Sequence, residues 1–300
     1  MSESELALSE AEGAESKYRP ELQRNIPVMD LFRLDGRVAV VTGGAGIYGS
    51  AITTALAEAG GTVVIAARGL ERCEERAAEL RASGLRVLAM PLDLTRDESI
   101  VALRDRVMAE LGRVDILFNN AAGRAAGTAE EQIKRKYAAP RTDMAGMSRA
   151  MWEGAMSVNA SGLFVCSQVF GEQMKAQGTG GSIVNISSIY GMVGPTFAIY
   201  KGTEMVNPPD YAFSKGGIIN FTRYLATCYA PHGIRVNCLS PGGYHTGQPE
   251  NFVRNYEAHT PLGRMARWND LKGAAVFLAS DASQYITGQN LAVDGGWTAW

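Results

Sequence analysis

The sequence predicts an α/β fold: one doubly wound parallel sheet of about seven strands, with helices on both faces. Three observations carry this expectation. Short apolar runs rich in β-branched residues alternate with longer stretches of helical periodicity from residue 37 onward. The runs are apolar throughout rather than alternating with polar residues, as strands buried on both faces are. Finally, the polar or glycine-rich clusters Thr42–Gly49, Arg68, Asp93, Asn119–Gly123, Ser187-Ser188 and Ser240–Gly243 each fall where such a run ends. That edge is where open parallel sheets bind their ligands.

Val38–Val41 is the first run, and the glycine-dense turn Thr42–Gly49 follows at once. Ser50–Ala59 carries Ala51, Ile52, Ala55, Leu56 and Ala59 at helical spacing, Gly60-Gly61 stops it, and Thr62–Ala67 is the next strand. Strand, turn, helix and strand make a βαβ unit of about 30 residues. Leu70–Ser83 is helical and Leu85–Pro91 is the third strand. Thr95-Arg96-Asp97-Glu98 reads as a capping box opening a helix to Leu111, with Gly112 as its stop. Val114–Asn119 is the fourth strand. After the polar stretch Arg124–Ser148, one long helix is expected through Val158-Asn159 to Lys175. Strand Ser182–Ser187, an irregular stretch Ser188–Asp210, helix Tyr211–Tyr229, and strands Arg235–Leu239 and Leu291–Val293 complete the pattern. Residues 1–30 are expected to form a partly disordered N-terminal arm, and 31–300 a single domain with long loops at 124–148, 189–210 and 243–268.

Composition narrows the function classes. The chain has 300 residues, is 46% hydrophobic, and carries a net charge of −2. No apolar run approaches the ~18 residues needed to cross a bilayer, and the acidic start MSESELALSEAEGAES lacks the basic and apolar regions of a signal peptide. A cytoplasmic protein with no membrane partner is expected. Cys73, Cys166, Cys228 and Cys238 form no Cys-x-x-Cys pair, and three histidines without metal spacing argue against a metal centre. Lys134-Arg135-Lys136 is too small a basic cluster for a nucleic-acid face.

Two motifs carry chemistry. Gly44-Ala45-Gly46-Ile47-Tyr48-Gly49 has the spacing Gly-x-Gly-x-x-Gly between a strand and a helix. A dinucleotide pyrophosphate needs that arrangement, because backbone must approach closely and helix-start amides offer free donors and a positive dipole end. Tyr211 and Lys215, at i and i+4, leave one helix face a turn apart. A phenol titrates near pH 10, and an ammonium held beside it favours the phenolate. So tuned, a tyrosine exchanges a proton with an alcohol or carbonyl while hydride passes to or from a nicotinamide. Taken alone, Tyr-x-x-x-Lys recurs by chance, as a core tyrosine beside a solvated lysine.

At these residues the chain resembles the short-chain dehydrogenase/reductase family, in its compact single-domain branch, over roughly residues 34–300. The match rests on Thr42–Gly49, Asp93-Leu94, Asn120-Ala121-Ala122-Gly123, Asn159, Ser188, Tyr211 with Lys215, and Pro241-Gly242 followed by Thr246, in order and approximate spacing. The resemblance implies a Rossmann-type sheet and four catalytic residues. Tyr211 is the implied general acid/base, Lys215 lowers its pKa and binds the nicotinamide ribose, Ser188 holds the substrate oxygen, and Asn159 anchors a proton-relay water. It also implies cofactor contacts from Thr42, Gly43, Gly46, Ile47, Gly49, Arg68, Asp93, Leu94, Asn120, Ala121, Tyr211, Lys215, Pro241, Gly242 and Thr246. Two features depart from the pattern. Ile47 stands where the branch's usual Thr-Gly-x-x-x-Gly-x-Gly turn has glycine, and extra residues lie between Ser188 and Tyr211.

The second strand ends in Ala66-Ala67-Arg68 with no acidic residue for a ribose 2′-hydroxyl. An arginine there suits a 2′-phosphate, so NADP(H) is expected ahead of NAD(H); the plainer alternative is an Arg68 that stacks on adenine or points to water. The 189–210 stretch and the ending Val293-Asp294-Gly295-Gly296-Trp297 resemble those of gluconate 5-dehydrogenase-like members. A polyhydroxylated sugar or sugar acid is the implied substrate, with Ser188, Tyr190, Tyr200, Tyr244, Lys201 and Glu204 near it. By their charge Arg124, Lys134, Arg135, Lys136, Arg141 and Arg149 form an anion-attracting set; the plainer alternative is a solvated loop. An NAD-dependent enzyme for a steroid or acyl ketone, or a dinucleotide sensor without catalysis, are the competing readings. The family further implies a homotetramer and a helical lid over Pro249–Thr260.

Overall fold

A computed structural model describes residues 25–123 and 143–300. The apolar runs become β1 (Val38–Thr42), β2 (Thr62–Ala67), β3 (Val87–Pro91), β4 (Ile116–Asn119), β5 (Gly181–Ile186), β6 (Ile234–Pro241) and β7 (Asn290–Val293). They form one seven-stranded sheet in the order β3-β2-β1-β4-β5-β6-β7, and every neighbouring pair is parallel. The chain winds outward in both directions from the β1–β4 junction, so a crevice opens there beyond the carboxyl ends. This is the doubly wound sheet the sequence predicts.

Helices α1 (Ile47–Glu58), α2 (Leu70–Ala82), α3 (Asp97–Leu111), α4 (Arg149–Met156), α5 (Leu163–Gln177), α6 (Pro209–Tyr229), α7 (Glu250–Ala258) and α8 (Lys272–Ala279) supply crossovers and covers. Alternation along the strands assigns them to faces. Val38, Val40, Val64 and Ile183 pack with Ile100 of α3, Phe170 and Met174 of α5, and Leu225 of α6. Ala39, Val41, Ile65 and Val184 pack with Ile52 and Leu56 of α1, Ala77 of α2, and Leu278 of α8. At about 1.5–3 kcal/mol per fully buried aliphatic side chain, both faces are strongly held. A smaller cluster of Ile189, Tyr190, Ile199, Phe252, Tyr256, Met265 and Trp297 gathers chain that follows the carboxyl ends of β5, β6 and β7.

Four local expectations are corrected. Helix α1 begins at Ile47 rather than Ser50, with Gly46 as its N-cap, so the last glycine of the turn already lies in the helix. The capping box does not form: α3 starts after Arg96 with no side-chain cap, because the Thr95 hydroxyl turns back and donates to Asp93 Oδ1 at 2.8 Å. The single helix expected through Val158-Asn159 is divided into α4 and α5 by a π-helical turn, Ser157–Gly162. Helix α6 starts two residues before Tyr211, with Pro209 at its first position. Most of the N-terminal arm and of the loop 124–148 lie outside the described residues. Among the described residues no helix is long and apolar enough to cross a membrane, and no group of side chains could hold a metal ion. All four cysteines are free thiols.

One buried acid staples the centre of the sheet. Asp115 accepts the Val38 amide at 2.8 Å and a two-pronged contact from Arg113 at 2.8 Å and 2.5 Å. Replacing Asp115 with Ala strands a buried N–H and is expected to remove about 1–3 kcal/mol of stability. The midpoint of urea denaturation checks this, and an unshifted midpoint would contradict it.

Candidate active site

The candidate catalytic corner is assembled where β5 ends against the first turns of α6. Pro209 presets the helical φ at the first position of α6, which places Tyr211 and Lys215 a turn apart close to the strand end. The Lys215 side chain runs inward, is only 3% exposed, and its Nζ donates to the Ile186 carbonyl at 2.7 Å. Returning the contact, the Ser187 hydroxyl donates to the Lys215 carbonyl at 2.7 Å. Ser188 caps the 3₁₀ turn Ile189–Gly191, its Oγ accepting the Tyr190 amide at 3.2 Å, and it hydrogen-bonds the Tyr211 phenol. The two adjacent serines therefore divide the work: Ser187 fastens α6, and Ser188 faces the phenol. Asn159 is buried in the π-helical turn, which packs against α6, and its Oδ1 accepts the Gly123 amide at 2.9 Å. It thereby ties the Asn119–Gly123 strand end to the helix pair.

Electrostatics at this corner differ from the expectation. Burial raises the Tyr211 phenol above its ordinary value, and the hydrogen bond with Ser188 is what opposes that rise. Lys215 lies 5.8 Å from the Tyr211 ring centroid, and its ammonium is committed to Ile186. Burial lowers Lys215 itself to about 8.

A cleft of about 590 Å³ runs from Arg68 and Arg72 past the glycine turn to Asn120–Gly123 and Val158. Of the expected cofactor residues, Gly43, Gly46, Ile47, Gly49, Arg68, Asp93, Leu94, Asn120 and Ala121 line it. Thr42 does not: it is buried, donates to Phe118 O at 3.2 Å and accepts the Asn120 and Ala121 amides at 3.0 Å each. It braces β1 against β4 from behind. Burial works to raise the Asp93 carboxyl, but hydrogen bonds from the Thr95 amide and hydroxyl, with the charges of Arg68 and Arg96, hold it below the usual carboxylate range. Pro241 and Gly242, buried at the end of β6, and Thr246 follow on the far side of the corner.

Three features of the corner and its cleft fit a dinucleotide. The first amides of α1 have no side-chain cap and present free donors with the positive end of the helix dipole. A Cβ at Gly49 would lie 2.1 Å from the Gly43 carbonyl oxygen, so only glycine lets the turn close this tightly. And the Thr246 hydroxyl is buried with no protein partner, which leaves it a donor to spare.

On the substrate side, Tyr200 donates to the Tyr190 hydroxyl at 3.4 Å and accepts from Asn207 at 3.3 Å. Tyr244 meets Tyr48 edge-on at 5.7 Å. Lys201, Glu204 and His245 are exposed. Arg149 projects to solvent and pairs with Glu153 at 3.4 Å, so it does not face the corner; Arg124, Lys134, Arg135, Lys136 and Arg141 lie outside the described residues. Tyr256 on α7 and Arg72 are contributors that sequence reasoning missed. Arg72 carried one usable signal, its place one turn after Arg68 on the helix that follows β2.

A family model described as enoyl-(acyl carrier protein) reductase matches residues 43–298. The chain is 38% identical over 267 residues to a cis-4-hydroxycyclohexanecarboxylate dehydrogenase of Sinomonas cyclohexanicum, covering 88% of this chain and 97% of that protein. It is 34% identical to a 2-dehydro-3-deoxy-D-gluconate 5-dehydrogenase of Escherichia coli, covering 91% and 99%. A gluconate 5-dehydrogenase from Burkholderia cenocepacia, solved in complex with NADP and tartrate, superposes with a TM-score of 0.77 at 31% identity over 91% of this chain and 100% of that one. With the sheet order and the match over most of its length, the chain belongs to the short-chain dehydrogenase/reductase family and is an oxidoreductase acting on CH–OH groups.

Proposed function

We propose that this protein interconverts a secondary alcohol and its ketone on a polyhydroxylated sugar acid, with NADP(H) as coenzyme. The observation that carries the reading is the Ser188–Tyr211 hydroxyl pair set beside the buried Lys215 at the carboxyl edge of the sheet. A bound nicotinamide supplies or accepts the hydride; the residues of this chain handle the proton. In reduction the Tyr211 hydroxyl gives its proton to the ketone oxygen, and in oxidation the phenol oxygen takes the proton of the alcohol. Ser188 Oγ hydrogen-bonds the same substrate oxygen and stabilises its developing charge. When charged, Lys215 favours the phenolate. Asn159 holds the Asn120–Gly123 strand end against the π-helical turn, where a relay water from Lys215 would sit.

Support for NADP(H) comes from Arg68 and Arg72 at one end of the cleft, from the absence of an acidic residue at the end of β2, and from the NADP in the solved Burkholderia relative. Support for a hydroxy acid comes from the names of all three relatives, and for a polyol from the hydroxyls of Tyr190, Tyr200 and Tyr244 and the Asn207 amide over the corner. In the same reading the loops 189–210 and 243–268 form the substrate side of one domain spanning 31–300. Exposed Phe164 on α5 with Phe213 and Tyr224 on α6 supports contact with further copies of the chain as a homotetramer.

Three outcomes test this. Tyr211→Phe should abolish turnover of gluconate-type ketones and alcohols while NADPH fluorescence titration stays close to wild type; retained turnover would remove the mechanism. A coenzyme comparison should give a kcat/KM for NADP(H) at least tenfold above that for NAD(H), about 1.4 kcal/mol, and the opposite ranking would overturn the assignment of Arg68. For pH, burial raises the Tyr211 phenol and Ser188 pulls it back, so alcohol oxidation should rise toward alkaline pH as the phenol loses its proton. In Ser188→Ala that limb of the kcat/KM profile should move to higher pH, and a limb that stays in place or moves lower would contradict the pairing.

A further inference from the structure

One peptide unit just beyond β6 is held on both sides by phenols. The Tyr48 hydroxyl donates to the Gly242 carbonyl oxygen, and the Gly243 amide donates to the Tyr256 hydroxyl at 2.5 Å. That C=O and that N–H belong to the same planar group, so the pair of phenols sets its orientation. The flanking backbone is tied as well, Gly242 N donating to Val293 O at 3.0 Å and Gly243 O accepting from Ala266 N at 2.9 Å. The fit is close: a Cβ at Gly243 would lie 2.8 Å from the Tyr256 ring.

The two phenols come from separate parts of the molecule. Tyr48 is the second residue of α1, inside the glycine turn, and its ring lines the cleft. Tyr256 stands on α7 and stacks on Trp297 with ring centroids 4.3 Å apart. Between them the gripped peptide opens the segment that carries Tyr244 and the partnerless Thr246 hydroxyl. Gln248 straps the same segment, accepting the Thr246 amide and donating to Tyr244 O, each at 2.7 Å. The proton of Tyr48 is spent on Gly242, and burial above all keeps its phenol well above the ordinary range. Tyr48 is therefore a fixed donor and no rival to Tyr211 as acid.

We propose that Tyr48 and Tyr256 are positioning residues that hold the Gly242–Gly243 peptide, and with it the segment to Thr246, in the orientation the nicotinamide half of the coenzyme requires. The phosphate-binding turn and helix α7 are then coupled through a single peptide unit. The inference rests on the dinucleotide reading above.

Tyr48→Phe, Tyr256→Phe and the double variant test it in the full chain, since Phe keeps each ring in place. Binding of NADPH is compared with binding of 2′,5′-ADP, which lacks the nicotinamide half, and NADH is compared with 5′-AMP in parallel. Each single variant should weaken the whole coenzyme about fivefold, the loss of one neutral hydrogen bond, and lower kcat. The adenosine fragment should bind within about twofold of wild type, and the double variant should lose little more than the weaker single, because either change frees the same peptide. Unchanged coenzyme affinity and kcat in both singles, equal losses for coenzyme and fragment, or fully multiplicative losses in the double would each overturn the clamp. Wild-type protein that binds neither coenzyme would instead overturn the dinucleotide reading and the clamp with it.

Discussion

The site depends on a reciprocal tie between β5 and α6. Lys215 sends its ammonium to the Ile186 carbonyl, and Ser187 sends its hydroxyl to the Lys215 carbonyl, both at 2.7 Å. A lysine only 3% exposed is tolerable when its donors are occupied or its charge is given up, and this one does some of each. The consequence is geometric. With residues 186 and 187 fastened to residue 215, the next residue of the strand end and the residue one turn back on the helix are brought into register. Those residues are Ser188 and Tyr211. This pair is thus positioned by the contacts of its neighbours, Ile186, Ser187 and Lys215.

Burial acts on both partners of the corner: removal of water favours the neutral form of the Tyr211 phenol and of the Lys215 ammonium. Ser188 then becomes the residue that keeps Tyr211 within reach, and the division of labour between the two serines acquires an electrostatic reason.

Much of this was legible because parallel sheets leave plain marks. Apolar strand runs, glycine at the βα turn and polar residues at the strand ends follow from burial on two faces and from one-sided ligand access, and these placed seven strands and nine of the cleft residues. What the sequence hid was decided by tertiary contact. The Thr95–Glu98 pattern satisfies the capping-box rule locally, yet the Thr95 hydroxyl turns away from the helix start and donates to Asp93. Asn159 sits in an unbroken helical pattern, and only its partner, the Gly123 amide far along the chain, marks the π-helical turn. Thr42 looks like a ligand contact by position, but its hydroxyl is saturated by β4. The start of α6 was readable in principle, since a proline two residues before Tyr211 is a helix-opening signal.

The long stretch between Ser188 and Tyr211 packs into the protein rather than lying free. Tyr190 and Ile199 from that stretch share a buried cluster with Phe252 and Tyr256 of α7 and with Trp297. Tyr200 packs on Phe252 with centroids 5.4 Å apart, while its hydroxyl joins Tyr190 and Asn207. The aromatic faces thus hold the roof together while their hydroxyls are engaged in polar contacts within it. Helix α7, expected as a lid, is anchored in this cluster by Phe252 and Tyr256. A roof built of phenols keeps water out through its rings while its hydroxyls satisfy one another and neighbouring polar groups. The extra chain is therefore a packed cover, held by the same aromatic cluster that carries Tyr256 and Trp297.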